Sequence, residues 1–583
     1  MLLTQTFAQQ LKVGGKVTAS GDGLPIPGVS VRVKGTQIGT QTTATGTYSI
    51  SAKQGDVLVF SSVGTLAQEK KVTGTVIDVV LKEDDQALNE IVVVGYGTQK
   101  KANLTGAVTS IDVKKNLLGR PVADVGRALQ GVAAGLSVVV PSGEVGSEPL
   151  IKIRGQIGSF RGTAQPLILL DNVEIPSIQL VNPADIANIT VLKDAAASSI
   201  YGAKAAFGVI LITTKTGSGS DKPAISYTNN FSFQNPWKEL RMGEVSALKY
   251  TVDAAERIGT FTPTGAFYYV DRASYEKAVE WQNKYGGTIG SNDPTVFGRD
   301  WYVQGPDNQK MGVRTYNPYD LMVREWAPTQ QHNLSIGGTT GKTNYNIGLA
   351  ALNQSGMMKP AKSDKFTRYN GSVKVSSEIN KYLTVRGGAL LSQRNKEYAY
   401  ITNSTTADPW LYLYRWGPLY PFGNDQNGDP IRSPASEAAA ANTANILQTY
   451  FNVNAGATVN ITKNWKVDFD YTYSKLDTVW KRPGTRYTAR NSWVAPKARL
   501  DASGAPVFVN SEGQVVSATT PGAIKAFDLL SETYTAPGSN PDHIYRFLGN
   551  WYSHTINAYT TYNLKLKEDH DFKFILGINR VAS

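Results

Sequence analysis

Three hydrophobic textures divide this chain. From residue 223 onward, apolar side chains fall on every second position over long runs: AISYTNNFSFQ, HNLSIGG, TNYNIGLAALNQ, FTRYNGSVKVSSE, YLTVRGGALLSQ, YFNVNAGATVNIT, WKVDFDYTYSKL, FLGNWYSHTINAYTTYNL and DFKFILGINR. A strand sends successive side chains to opposite faces, so this alternation predicts about nine long antiparallel strands with one apolar and one polar face. Short turns such as TTGKT and INK join them in pairs, and long polar, aromatic-rich segments separate the pairs. Upstream the runs are shorter and more uniformly apolar. Residues 151–154, 167–170, 189–192 and 209–214 read as buried strands bounded by Gly, Pro, Asn and Asp. Asp194 precedes AAASSIYG, where its carboxylate can cap a short helix through Ser199 and Tyr201, and Gly202 can end that helix in a left-handed conformation. A further amphipathic helix is expected over 122–132, opened by Pro121. Together these give a small α+β globule over 98–218.

The first 97 residues follow a third pattern. VGGKVTA, GVSVRVKG, TGTYSIS, DVLVFSSVG and VIDVVLK, within 12–83, alternate between Gly and Pro turns as in a small β-sandwich. Residues 84–97 form a linker in which acidic DDQALNE leads into the β-branched run Ile91–Val94, a segment suited to pairing with the edge of another protein's sheet. The same run can equally be the first strand of the globule. Residues 1–11 look like the end of a secretory signal, with small residues around Thr6 and Ala8.

Composition narrows the class. No apolar run approaches the roughly 20 residues that a membrane helix needs. The 55 Gly, 29 Tyr and 10 Trp suit a transmembrane barrel whose apolar outer face is girdled by aromatics. With no Cys, thiol catalysis, disulfides and zinc-thiolate sites are excluded. The net charge of +12 is scattered without a dense basic run, which argues against nucleic acid and leaves acidic lipid headgroups or lipopolysaccharide as milder partners. His332, His543, His554 and His570 have no metal-ligand spacing, and no carboxylate pair is anchored to a second polar group, so no metal, cofactor or enzyme activity is expected.

LNEIVVVGYGTQKKANLTGAVTSID, RPVADVGRALQG, IRG, LLDNV, NPADIANITVLKDAAASSIYGA and GVILITTKTG stand in this order over about 130 residues. The series resembles the plug of SusC/RagA-like TonB-dependent outer-membrane transporters. The resemblance implies a mainly β protein: a carboxypeptidase-regulatory-like sandwich, an α+β plug domain, and, over 223–583, an incomplete transmembrane antiparallel β-barrel with long extracellular loops. Thr43, Thr45 and Thr65 depart from that sandwich pattern, as do Val132, Asn172 and Glu174 from the plug pattern. It further implies outer-membrane residence with the N-terminal domain periplasmic, and import of oligosaccharides, or alternatively peptides, beneath a SusD-like surface lipoprotein. TonB, energised by the inner-membrane proton gradient, would pull a TonB box within Leu88, Asn89, Glu90, Ile91, Val92, Val93 and Val94. Arg154, Gly155, Asp171, Lys193, Asp194, Tyr201 and Gly202 carry the plug motifs, with Arg154 the candidate for an ionic latch to barrel carboxylates.

Plugged transporters have about 22 strands, and about nine would not enclose such a globule, so the chain is expected to be the first part of a longer protein. The rival expectation is a non-transporting remnant or periplasmic binding protein. Trp410, Tyr412, Tyr414, Trp416 and Tyr420 form an aromatic series that could stack on sugar rings or, equally, pack as an arm on the barrel wall. Asp425, Asn427 and Asp429 alternate like calcium ligands, but without the full loop they favour a turn.

Overall fold

The computed structural model describes residues 10–20, 23–36, 38–62, 65–82, 91–94, 97–100, 108–113, 124–140, 144–155, 165–217, 222–236, 243–259, 263–264, 268–400, 417–536, 544–566 and 570–583. It divides into two units, Met1–Val108 and Thr109–Ser583.

In the first unit, Gln10–Ala19 pairs antiparallel with Thr47–Lys53 and parallel with Val79–Leu81. Facing them is a four-stranded sheet in the order Gly39–Gln41, Ser30–Val33, Val57–Ser61, Gln68–Lys71. Alternation places Val13, Val17, Val31, Ile50, Leu58 and Phe60 in one core. Tyr48 meets Phe60 edge-on at 5.3 Å and donates to the Ile77 carbonyl at 2.8 Å. Gly46 has φ 75°, and a Cβ there would lie 2.7 Å from Pro25, which accounts for the glycine. Thr43 Oγ1 bonds Thr45 Oγ1 at 3.0 Å and Thr47 Oγ1 at 2.7 Å, so hydroxyls close the turn. Ile91–Val94 forms an antiparallel hairpin with Gly97–Lys100.

The second unit holds the α+β globule and the long strands. A five-stranded sheet runs Val108–Asp112, Ile186–Leu192, Val209–Thr214, Leu167–Leu170, Val173–Glu174. Leu150–Ile153 pairs instead with Leu136–Val139 in a separate ribbon. The helix expected over 122–132 is a single turn, Val125–Ala128, capped by Asp124 through the Arg127 N–H at 2.8 Å. Gly131 at φ 73° turns the chain away soon after it. Asp194 caps Ala195–Ser198 through the Ala197 N–H at 2.7 Å. Gly202, at φ 65° and ψ −155°, kinks the following 3-10 segment rather than ending it.

Nine strands form one antiparallel sheet in chain order: β1 Ala224–Gln234, β2 Ala327–Thr340, β3 Thr343–Ser355, β4 Lys365–Asn380, β5 Leu383–Ala399, β6 Thr443–Asn460, β7 Trp465–Pro483, β8 Ile544–Leu566 and β9 His570–Ala582. These are the strands expected from the alternation. β1 and β9 are the two edges, so the described sheet is an open wall, a partial barrel. Its outer face exposes Leu349, Val373, Leu391, Val453 and Phe469, with Tyr382, Trp465 and Tyr562 near the short-turn end. Its inner face buries Gln354, Asn370, Ser392, Asn452, Ser474 and Asn557. Apolar outside and polar inside is the partition of a lipid-facing barrel wall.

The long connections between strands fold into a subdomain of their own. Its core includes Leu248, Tyr268, Phe297, Trp301, Tyr316, Leu419 and Phe527.

Candidate functional site

The inner face of the wall and the turns of the globule meet along a polar seam. Four alternate residues of β4 each reach a different acceptor. Arg368 Nη1 donates to the Gln179 carbonyl at 3.0 Å, and Asn370 Nδ2 to the Leu180 carbonyl at 2.8 Å. Ser372 Oγ donates to Asp185 Oδ2 at 3.1 Å, and Lys374 Nζ lies 3.0 Å from Asp171 Oδ1 and 2.9 Å from Thr214 Oγ1. From β5, Arg394 Nη1 donates to Ser177 Oγ at 2.8 Å and Gln179 Oε1 at 3.2 Å, and Lys396 Nζ to Glu144 Oε2 at 2.6 Å. Apolar contact comes at separate points: Leu390 and Tyr450 join the globule's core, Leu476 and Trp551 pack against it, and Phe366 packs with Val145 and Leu352.

Local sequence prepares each acceptor. Asp171 and Asn172 have φ 48° and 68°, a left-handed pair that short polar side chains tolerate in a tight turn. Asp171 accepts from the Thr214 N–H at 3.0 Å and its hydroxyl at 2.6 Å, so its carboxylate is held in place where Lys374 meets it. Ser177 caps the 3-10 turn Ile178–Leu180, and Pro183 opens the turn Pro183–Asp185. Gly348 on β3 lets Asp185 come close, for a Cβ there would lie 2.4 Å from Asp185 Oδ1. Burial pushes the Asp185 carboxyl up, against the opposing pull of the Ser372 and Asn182 hydrogen bonds and the charges of Lys215 and Arg368. Asp124 is likewise raised by burial, opposed mainly by the N–H and charge of Arg127.

Of the motif residues, Asp171 bonds directly to the wall, through Lys374. Lys193 Nζ donates to the Ala134 carbonyl at 2.6 Å, tying the two parts of the globule together. Asp194 is a cap, and Tyr201 is half-buried near the Gly202 kink. The expectation of an ionic latch at Arg154 is not met among the described residues. Arg154 and Gly155 sit at φ 54° and 63° at the end of the ribbon, with the Arg154 N–H bonded to the Gly135 carbonyl at 2.7 Å. The Arg154 side chain is exposed and makes no ion pair among the described residues; wall lysines and globule carboxylates make the ionic contacts instead.

Tyr420 is also corrected as a ligand-binding candidate. It is 4% exposed and packs edge-on against Tyr268 at 6.1 Å inside the loop subdomain. Trp410, Tyr412, Tyr414 and Trp416 lie outside the described residues, as do Leu88, Asn89 and Glu90. Ile91, Val92, Val93 and Val94 form one strand of the hairpin described above. Asp425 Oδ1 accepts from the Asn427 and Asp429 N–H groups at 2.9 and 3.0 Å, and Arg490 lies 3.1 Å from Asp425 and 2.5 Å from Asp429. That loop is a turn closed by an arginine.

The wall residues of the seam escaped sequence reasoning. FTRYNGSVKVSSE already places Arg368, Asn370, Ser372 and Lys374 on one face, but nothing in the run says what that face meets.

Two family models match the chain: a CarboxypepD_reg-like domain over residues 13–93 and a TonB-dependent receptor plug domain over residues 100–209. The chain is 32% identical over 434 residues to TonB-dependent receptor P26 of Formosa agariphila, spanning 72% of this chain and 39% of that protein. It is 32% identical over 385 residues to TonB-dependent receptor SusC of Bacteroides thetaiotaomicron, spanning 64% of this chain and 33% of that protein. These matches therefore span between a third and two-fifths of the relatives' length. The fold is similar to a chain of the RagAB peptide importer in its closed-closed state, with TM-score 0.53 and 19% identity over 82% of this chain and 48% of that chain.

Proposed function

We propose that this chain, a SusC-like TonB-dependent receptor of the outer membrane, imports oligosaccharides with TonB and a SusD-like surface lipoprotein as partners. The observation that carries the reading is the seam. A domain that must leave its seat and return is better held by hydrogen bonds and exposed ion pairs, each worth about 1 kcal/mol net, than by a continuous apolar interface. The side chains of Lys374 and Asp171 keep 26% and 21% exposure, so water can replace their contact as the seat opens. Glu144 and Lys396 pair in a similarly wet setting.

TonB, drawing on the proton gradient of the inner membrane, would engage the segment from Leu88 to Val94 by strand addition and pull on the plug beyond it. The outer face of the wall meets lipid and lipopolysaccharide. The inner face supports a saccharide cargo, because its amides and hydroxyls both donate and accept, as sugar hydroxyls do. A peptide cargo is the second reading, favoured by the likeness to the RagAB peptide importer. Uptake of fluorescent oligosaccharides and oligopeptides by cells carrying the receptor separates the two. Saccharide uptake that stops when the proton gradient is collapsed supports the proposal, and energised uptake of peptides alone overturns its substrate.

A further inference from the structure

Most inward cations of β4 and β5 have a carboxylate partner: Lys374 has Asp171, Lys396 has Glu144, and Arg386 has Asp470 at 2.6 Å. Arg368 and Arg394 are the exceptions. They stand directly opposite each other in the β4–β5 register, 1% and 6% exposed, with no ion pair among the described residues. Like charges facing each other across a ladder repel, and a buried charge without a counter-charge is costly. Arg368 Nε and Nη2 and Arg394 Nε have no hydrogen-bond partner among the described residues. Asp124 and Asp185 lie near enough to feel the charge of Arg368, and Glu148 that of Arg394, but none of the three pairs with either guanidinium among the described residues. Holding the plug does not require this arrangement, since Asn370, two residues along, satisfies the Leu180 carbonyl with a neutral amide.

We infer that Arg368 and Arg394 form a cationic station on the wall, covered by Ser177 and Gln179 in the resting plug and exposed to cargo when that segment moves, where it receives a carboxylate or sulfate group of an acidic oligosaccharide. The guanidinium fork matches such groups with two parallel hydrogen bonds, and two forks on adjacent strands span successive acidic groups of one chain. The station deepens the import reading and rests on it.

Current through the purified intact receptor in a planar bilayer, with the plug unseated by urea, tests the station. The probes are a uronate tetrasaccharide and the same tetrasaccharide with its carboxylates reduced to alcohols. In the wild type the acid should block the current about tenfold more tightly than its neutral twin, the worth of about one charge-assisted hydrogen bond. In Arg368→Gln/Arg394→Gln the ratio should fall below about twofold, and Arg368→Lys/Arg394→Lys should keep part of it. Asn370→Ala, which loosens the same seat without changing charge, should leave the ratio as in the wild type. An unchanged ratio in the glutamine variant overturns the station while leaving import standing. If no current opens in the wild type, plug displacement itself fails and the station falls with it.

Discussion

The seam and the loop subdomain, both in the second unit, hold charge in opposite ways. In the loop subdomain Asp300 is saturated: Arg299 lies at 2.8 Å, Arg314 at 3.3 Å, and Trp281 Nε1 and the Val296 N–H both donate at 2.8 Å. The site is dry, its carboxylate fully buried, and Tyr268, Phe297 and Trp301 pack edge-on nearby. Along the seam, each wall side chain meets one or two acceptors, the contacts are spaced by alternation, and the two lysine pairs are partly wet while Arg368 and Arg394 are buried. The convergent contacts of the first region are expected to break together, and the spread contacts of the second separately. On the proposed reading, one strand wall carries a fixed cap and a removable plug built from the same residue types, distinguished by whether counter-charges converge on one site, as at Asp300, or are spread along a strand.

The largest effect should come from breaking the convergent contacts. Asp300→Ala leaves Arg314 buried without its counter-charge and should cost the loop subdomain about 3–5 kcal/mol, read as lost hydrogen-exchange protection over residues 281–316 with protection of the seam unchanged. Next comes pH. Burial lowers Lys310, whose Nζ donates to the Val494 carbonyl at 2.8 Å, to about 8. Between about 8 and its ordinary 10.5 the unfolded chain holds a proton that the folded one has released, so stability should rise with pH there, by at most about 3 kcal/mol. Tyr268 and Tyr316, both raised by burial, act in the opposite sense above pH 10, where the unfolded phenols ionise first. The thermal midpoint of the subdomain should therefore pass through a maximum between these limits, and a flat profile from pH 7 to 10 would refute the assignment to Lys310.

Gly348→Ala sharpens the other side of the comparison. Its methyl would press on Asp185, so the plug should seat less tightly by about 1–3 kcal/mol with the loop subdomain unaffected, read as raised exchange over 178–185. The smallest effect is expected of Lys374→Met, about 1 kcal/mol, because its ion pair is reached by water. A larger loss there than at Asp300 would invert the contrast.

Much of this architecture was legible in the sequence. Nine strands followed from period-two alternation, and 167–170 and 209–214 were found as strands because buried parallel neighbours make continuous apolar runs. The helix over 122–132 was overdrawn because apolar spacing runs on to Val132, whereas the turn closes at Ala128 and Gly131, with its left-handed backbone, redirects the chain just beyond. Tyr420 misled because an aromatic in a loop does not announce whether it faces solvent or a core. The seam was illegible for another reason: Asp171 and Lys374 are 203 residues apart, and no local pattern encodes which acceptor a polar wall face will meet.

The central claim is that the seam opens during import, and a reversible staple tests it most directly. A Cβ on Gly348 lies 2.9 Å from Asp185 Cγ, close to the about 3 Å that separates one Cβ from the far sulfur of a disulfide. The chain has no other Cys to interfere. In energised cells, Gly348→Cys/Asp185→Cys should import nothing while oxidised and regain uptake on reduction to the level of its two single variants. Uptake that continues with the bond formed would show that cargo passes without this seam opening, and would contradict the account.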